Sequence, residues 1–198
     1  MKRWQGLIIA VLLAAACATD PAPRDHYYSV SVGDGSVHED VQLRVAIEPV
    51  RAAGIHGERP LVVATTDGTL FQHHHHLWAE PPAMMIGDGL LSCLRQRLPA
   101  ADIRVARGGL RPDATVRTQL RRLARTPATE ATPAMARLHL ELEIDRRGNG
   151  DDRSVSFDRE AELSRDHELV DFVHAASGLV TDACDTLARE LAAADPAG

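Results

Sequence analysis

Apolar and polar positions along this chain fall into two rhythms. The sharpest is strict alternation at Leu138, Leu140, Leu142 and Ile144, with His139, Glu141 and Glu143 between them. Successive side chains of a strand point to opposite faces, so this pattern predicts a strand buried on one side. Val41, Leu43, Val45 and Ile47 repeat it and stop at Pro49; Tyr28, Val30 and Val32 do so before Gly33-Asp34-Gly35. Val155, Phe157, Ala161 and Leu163 return the chain after a hairpin loop at Arg147-Gly148-Asn149-Gly150, with Arg159 interrupting the alternation. Leu61-Val62-Val63 is a short apolar run, and the Asp67-Gly68 turn leads to Leu70-Phe71, predicting a second hairpin. Ile103 and Val105 form a brief strand, and Val116 to Leu123 reads as extended through a charge-rich pattern.

The second rhythm is helical. Met85, Ile86, Leu90, Leu94 and Leu98 recur between Pro81-Pro82 and Pro99. Gly87 and Gly89 inside this helix cost about 1 kcal/mol each relative to Ala. Leu169, Val173, Ala176, Val180, Cys184, Leu187 and Leu191 form one stripe of a long amphipathic helix. The order strands, helix, strands, helix predicts an α+β fold: a mainly antiparallel sheet with two helices packed on one face, in a single domain over residues 26–194.

The N-terminus follows neither rhythm. Lys2 and Arg3 precede a short apolar core from Leu7 to Leu13, and Ala14-Ala15-Ala16 stands directly before Cys17. A charged start, an apolar segment too short to span a bilayer and a small-residue cleavage site make an export signal. With the cysteine at the cut, it resembles the lipobox of bacterial lipoproteins, departing from it at Ala14, where Leu is commonest. That resemblance implies a signal peptide over residues 1–16, acylation of Cys17, and a Pro21- and Pro23-containing tether over residues 17–25. Each buried acyl methylene contributes roughly 0.8 kcal/mol, so several chains hold a soluble domain at a bilayer. Ala18 and Thr19, without an Asp in second place, imply the periplasmic face of the outer membrane.

Charge narrows the partners. The 198 residues carry a formal charge of −6, and loss of Lys2 and Arg3 with the signal makes it −8. Such a domain has no electrostatic footprint for nucleic acid and is repelled by anionic head groups. Besides Cys17 there are two cysteines, Cys93 and Cys184. Both lie on apolar helix patterns, which favours buried thiols acting as small hydrophobes; in an oxidising compartment they are also a potential bridge. No C-x-x-C or other metal-ligand spacing occurs, and nothing implies a cofactor.

Several residues stand out chemically. His73-His74-His75-His76 invites a metal reading, but a strand presents only two of the four on one side, which favours a polar strand end at the sheet margin or a subunit contact. A pH-responsive contact is a further hypothesis for this run. Tyr28, Trp78, Met84 and Met85 are the candidates for partner or ligand contact. Trp78 also reads as an anchor for the strand-to-helix corner, and the two methionines as ordinary core. Ser164, Asp166 and His167 are neighbours in sequence, which is no evidence for a triad, and Ser164 or Asp166 reads better as a helix N-cap. Asp151-Asp152 lacks the rest of a calcium loop. The expectation is a protein without catalytic residues.

Tyr27-Tyr28-Ser29-Val30 soon after the cysteine, the strand through Val50, the hairpin over Leu61 to Phe71, and His76-Leu77-Trp78-Ala79-Glu80-Pro81-Pro82 opening a helix together resemble the ABC-type transport auxiliary lipoproteins, of which the paraquat-inducible PqiC (YmbA) type is one branch. The histidine run and residues 116–132 have no counterpart in that pattern. The resemblance implies an outer-membrane lipoprotein serving an MCE-type system for lipids or other hydrophobic molecules. It also implies docking to an MCE-domain protein anchored in the inner membrane, with a homo-oligomeric ring as a plausible assembly. The competing expectation is a stand-alone lipoprotein carrying an acyl ligand in its own pocket.

Overall fold

The computed structural model describes residues 23–108, 111–147, 152–164 and 168–193. Its strands are β1 (His26–Tyr28), β2 (Arg44–Ile47), β3 (Arg51–Ala52), β4 (Pro60–Ala64), β5 (Leu70–Trp78), β6 (Asp102–Val105), β7 (Ala114–Thr126), β8 (Met135–Arg146) and β9 (Arg153–Glu162). A 3-10 turn occupies Gly54–Gly57, and the helices are α1 (Pro82–Arg97) and α2 (Glu168–Ala192). The α+β expectation holds, with one correction to the sheet.

The nine strands form one mixed sheet, not a mainly antiparallel one. β7 is its spine. Along one edge it pairs in parallel with β2, then β3, then β4; along the other it pairs antiparallel with β8, which carries β9. β1 is parallel to β5, and β6 is parallel to β2. Alternation reports which face of a strand is buried and carries no information about direction. The helix α1, lying between β5 and β6, supplies the long crossover that lets β6 return parallel to β2.

Both helices cover the same face of the sheet. Val173, Ala176, Val180, Cys184, Leu187 and Leu191 of α2 meet Ile86, Leu90 and Leu94 of α1 and the inward residues Leu138, Leu140, Leu142 and Ile144 of β8 in one core. Every one of these is less than about a tenth exposed, and the burial of each large aliphatic contributes roughly 1.5–3 kcal/mol. On the sheet's other face, Val62, Ala64 and Ala124 make a small second cluster with Ile55 and Leu70. Here β4 is buried on both sides, which explains its unbroken apolar run.

The helices are stapled. Cys93 and Cys184 form a disulfide between α1 and α2, with Cα atoms 6.4 Å apart, and this corrects the favoured reading of two free thiols. One turn beyond Cys93, the almost fully buried Arg97 directs Nε to Asp185 Oδ1 at 2.7 Å and Nη2 to Gly33 O at 2.8 Å. Ser177, Thr181 and Asp185 stand four residues apart on α2 and so share a face. The backbone N–H of Ser31 donates to Ser177 Oγ at 3.1 Å, and that of Gly33 to Thr181 Oγ1 at 3.0 Å. Residues 29–40 are thus a strap tied along α2, where an extended strand through Val32 was expected; only His26–Tyr28 pair with the sheet. A Cβ at Gly35 would overlap the Arg97 guanidinium and the Asp185 carboxylate, so glycine is required where the strap crosses them. Gly89 has a comparable reason: a Cβ there would sit 3.1 Å from Val32 of the strap.

Candidate functional site

The structure leaves apolar surface open where α1 passes over the ends of β2 and β6. Pro82 at the helix start has a preset φ and withholds no needed N–H, and the Met84 and Met85 amides donate to Pro81 O. The first turns then place Met84, Gly87 and Leu91 against Ile47, Val50 and Val105, bounding a groove of about 200 Å³. Met84 is 56% exposed and Val105 is 40% exposed. Gly87 forms part of the floor, since a Cβ would lie only 3.3 Å from Val50 Cγ2. Glu48 and Asp88 line the same groove. β6 bounds it at the end of the sheet, pairing among the described residues only with β2, and the Ile103 carbonyl on its outer edge accepts Arg95 Nε at 3.1 Å. Such a place can take apolar side chains from a partner, the thioether of Met84 adapting to their shape.

The four candidate contact residues do not converge. Met84 faces the groove. Met85, one residue and about 100° further round the helix, is buried in the core at 8% exposure. Trp78 is 1% exposed, its ring 5.8 Å from that of Phe172. Its backbone N–H donates to Arg59 O at 2.7 Å, and its backbone carbonyl accepts Arg59 Nε at 3.0 Å. Trp78 and Met85 therefore offer no surface to a partner, and their assignment as contacts is corrected: they anchor the β5–α1 corner. Tyr28 is half-buried on β1, its hydroxyl 2.9 Å from His76 Nδ1, and burial raises its pKa. Cys17, Asp151, Asp166 and His167 lie outside the described residues. Ser164 donates its hydroxyl to Asp171.

The histidine run sits on β5 at the margin of the sheet, as a polar strand end should. Its register is irregular: Leu61 of β4 faces His73 while the adjacent Pro60 faces Leu77. The bulge breaks the two-sided alternation and brings His73 and His76 to one side, ring centroids 5.6 Å apart. His76 stacks on His26 of β1 at 5.1 Å. Burial lowers the pKa of both His73 and His76; Arg125 adds to the effect on His73, and the neighbouring histidines to that on His76. His75 pairs separately with Asp25 at 3.0 Å. Among the described residues, no three His, Cys, Asp or Glu side chains converge as metal donors.

The sheet face away from the helices has the opposite character. Arg117 reaches Glu48, Asp145 and Glu143 at 3.0, 3.3 and 3.6 Å; Arg121 meets Glu141 at 2.6 Å; and Arg137 meets Asp158 and Glu160 at 2.6 and 3.2 Å. The Arg137 guanidinium, bonding both oxygens of Asp158, holds that carboxyl below its ordinary range. A depression of about 330 Å³ lies in this face, lined by Arg51, Arg117, Gln119, Glu141, Glu143 and neighbours. Arg117 and Glu141 there are already ion-paired within the chain.

Sequence reasoning did not identify Val50, Leu91 or Val105 as groove residues. Val105 was legible as a strand residue, but nothing local says that its outward face stays uncovered. Comparison with known proteins follows the fold. A structure of an uncharacterized protein superimposes with a TM-score of 0.70 at 16% identity, covering 85% of this chain and 99% of the other. A protein of family DUF330 from Xanthomonas campestris gives 0.69 at 17% identity, covering 84% and 95%. A hypothetical protein from Chlamydia trachomatis gives 0.51 at 9% identity, covering 78% and 99%. These likenesses establish a shared fold. No curated protein matches the sequence. Residues 30–188 match the family described as ABC-type transport auxiliary lipoprotein component, and this chain belongs to that family.

Proposed function

We propose that the protein is the lipid-anchored auxiliary component of an MCE-type envelope transport system, held by acylated Cys17 at the periplasmic face of the outer membrane. It acts by docking the end of a conduit for lipids or other hydrophobic molecules, without catalysing a covalent step. Family membership supplies the transport setting. The observation that carries docking is the Met84 groove: open, apolar, and at the β6 end of the sheet, on a fold whose other broad face carries cross-strand ion pairs.

The alternative, a carrier with an acyl ligand in its own pocket, fits less well. Small-molecule sites enclose roughly 300–1,000 Å³, whereas this groove holds about 200 Å³ and is open. Affinity capture of the full acylated chain from its native envelope tests both readings. Recovery of an MCE-domain protein, lost on Met84→Asp with the fold intact, supports docking. Stoichiometric lipid without any such partner supports the carrier.

A further inference from the structure

We propose that the β1–β5 margin is a membrane-facing surface, resting at head-group level on the bilayer that holds the Cys17 anchor, with Phe71 and the ring row of His73, His76, His26 and Tyr28 as its contact. This rests on the anchor reading above and adds an orientation to it.

Three observations carry it. The first is the surface itself. On one side of β5 the rings of Phe71 and His73 lie 5.9 Å apart, His73 and His76 5.6 Å, and His76 stacks on His26 at 5.1 Å and on Tyr28 at 5.9 Å. Phe71 is 43% exposed at the end of that row, while Tyr27, between His26 and Tyr28 on β1, points to the opposite face and lies under Arg59. The chain has only three Phe and two Tyr, so one of each stands in this row.

The second is the leash. His26 stands nine positions after Cys17, and nine fully extended residue steps reach about 30 Å. β1 is the first strand after the tether and the terminal strand of the six-strand path β1-β5-β4-β7-β2-β6. The margin is therefore the part of the sheet held nearest the acyl chains. The Met84 groove, bounded by β2 and β6, belongs to the far end of that path.

The third is chemistry. Rings with an apolar body and a polar tip favour the membrane–water interface. Asp25 pairs with His75, Arg59 lies over the Tyr27 ring at 5.4 Å, and Glu58 accepts from Gln72 at 2.8 Å. Burial lowers the pKa of His73 and His76 and so favours their uncharged forms, which suits contact with an interface. The rest of the domain is acidic and is repelled by anionic head groups, which confines contact to this margin.

The test uses the full acylated chain in vesicles of three parts phosphatidylethanolamine to one part phosphatidylglycerol, doped with phosphatidylcholine brominated near the head group. Two reporters are compared, Phe71→Trp on the margin and Ser156→Trp on β9; buried Trp78 gives both the same background. Several-fold stronger bromine quenching of the reporter at 71 is expected. Equal quenching, or quenching only at 156, overturns the proposed orientation while leaving the anchor intact. Intact-mass measurement of each preparation reports acylation of Cys17 independently, and an unacylated chain that leaves the vesicles overturns both readings.

Discussion

Arg97–Asp185 and Arg137–Asp158 are the same chemical pair in two settings. The first lies between two helices, its carboxylate 30% exposed but its guanidinium only 2%; the second lies on the open face of the sheet, both partners about a third exposed. Removing one member of a buried pair strands a charge, whereas an exposed pair is screened and its loss is absorbed by water. The buried pair locks the strap to the helices and so fixes where the tether enters. The exposed pairs keep a broad face hydrated and specify little. Geometry alone would rank the exposed pair higher, since it is the one bonded through both oxygens. Depth reverses the order.

That ranking can be broken by measurement. Asp185→Ala should cost about 3–5 kcal/mol, read from urea unfolding, because it leaves the buried Arg97 guanidinium without its carboxylate; a loss below that of the exposed-pair variant would refute the comparison. Cys93→Ala/Cys184→Ala opens a bridge between residues 91 apart in sequence and should cost about 2–4 kcal/mol. Dithiothreitol should reproduce the loss in the parent and leave the double variant unchanged. Gly35→Ala should cost about 1–3 kcal/mol by forcing the strap off Arg97. Acidification should cost less. His56, buried against Leu123 O, and His73 and His76 are all lowered by desolvation. Each therefore takes up a proton more readily unfolded than folded, and its contribution, complete above the ordinary histidine range, is lost as pH falls through about 6.5 toward the folded values. Thermal melts from pH 8 to 5 should drop accordingly, and His56→Gln should flatten part of the drop. Arg137→Ala should change stability by no more than about 1 kcal/mol, with added salt reducing even that.

Legibility in the sequence followed the same division between local and distant causes. β8 and α2 were readable because each buries one regular stripe against a neighbour. β7 was only weakly readable. A bulge at Arg121, between Leu120 and Arg122, moves the inward positions from Val116, Thr118 and Leu120 to Leu123 and Arg125, so no single period runs through it. The strap read as a strand because Val30 and Val32 alternate, yet its backbone partners are side chains of α2, more than 140 residues away. The cystine was hidden for the same reason: pairing of Cys93 and Cys184 depends on how two helices cross. Of the groove, Met84 was visible as an odd apolar residue, but its exposure depends on β6 ending the sheet beside it.

The strap has a mechanical consequence. Force arriving along the tether meets the three parallel pairings of β1 with β5 before it reaches the bonds to Ser177, Thr181 and the Arg97 clamp. Those stations act in series, so a lateral pull on the N-terminal segment is dissipated at the periphery, one weak link at a time. The long hairpin of β7 and β8, with the core beneath it, lies outside that load path.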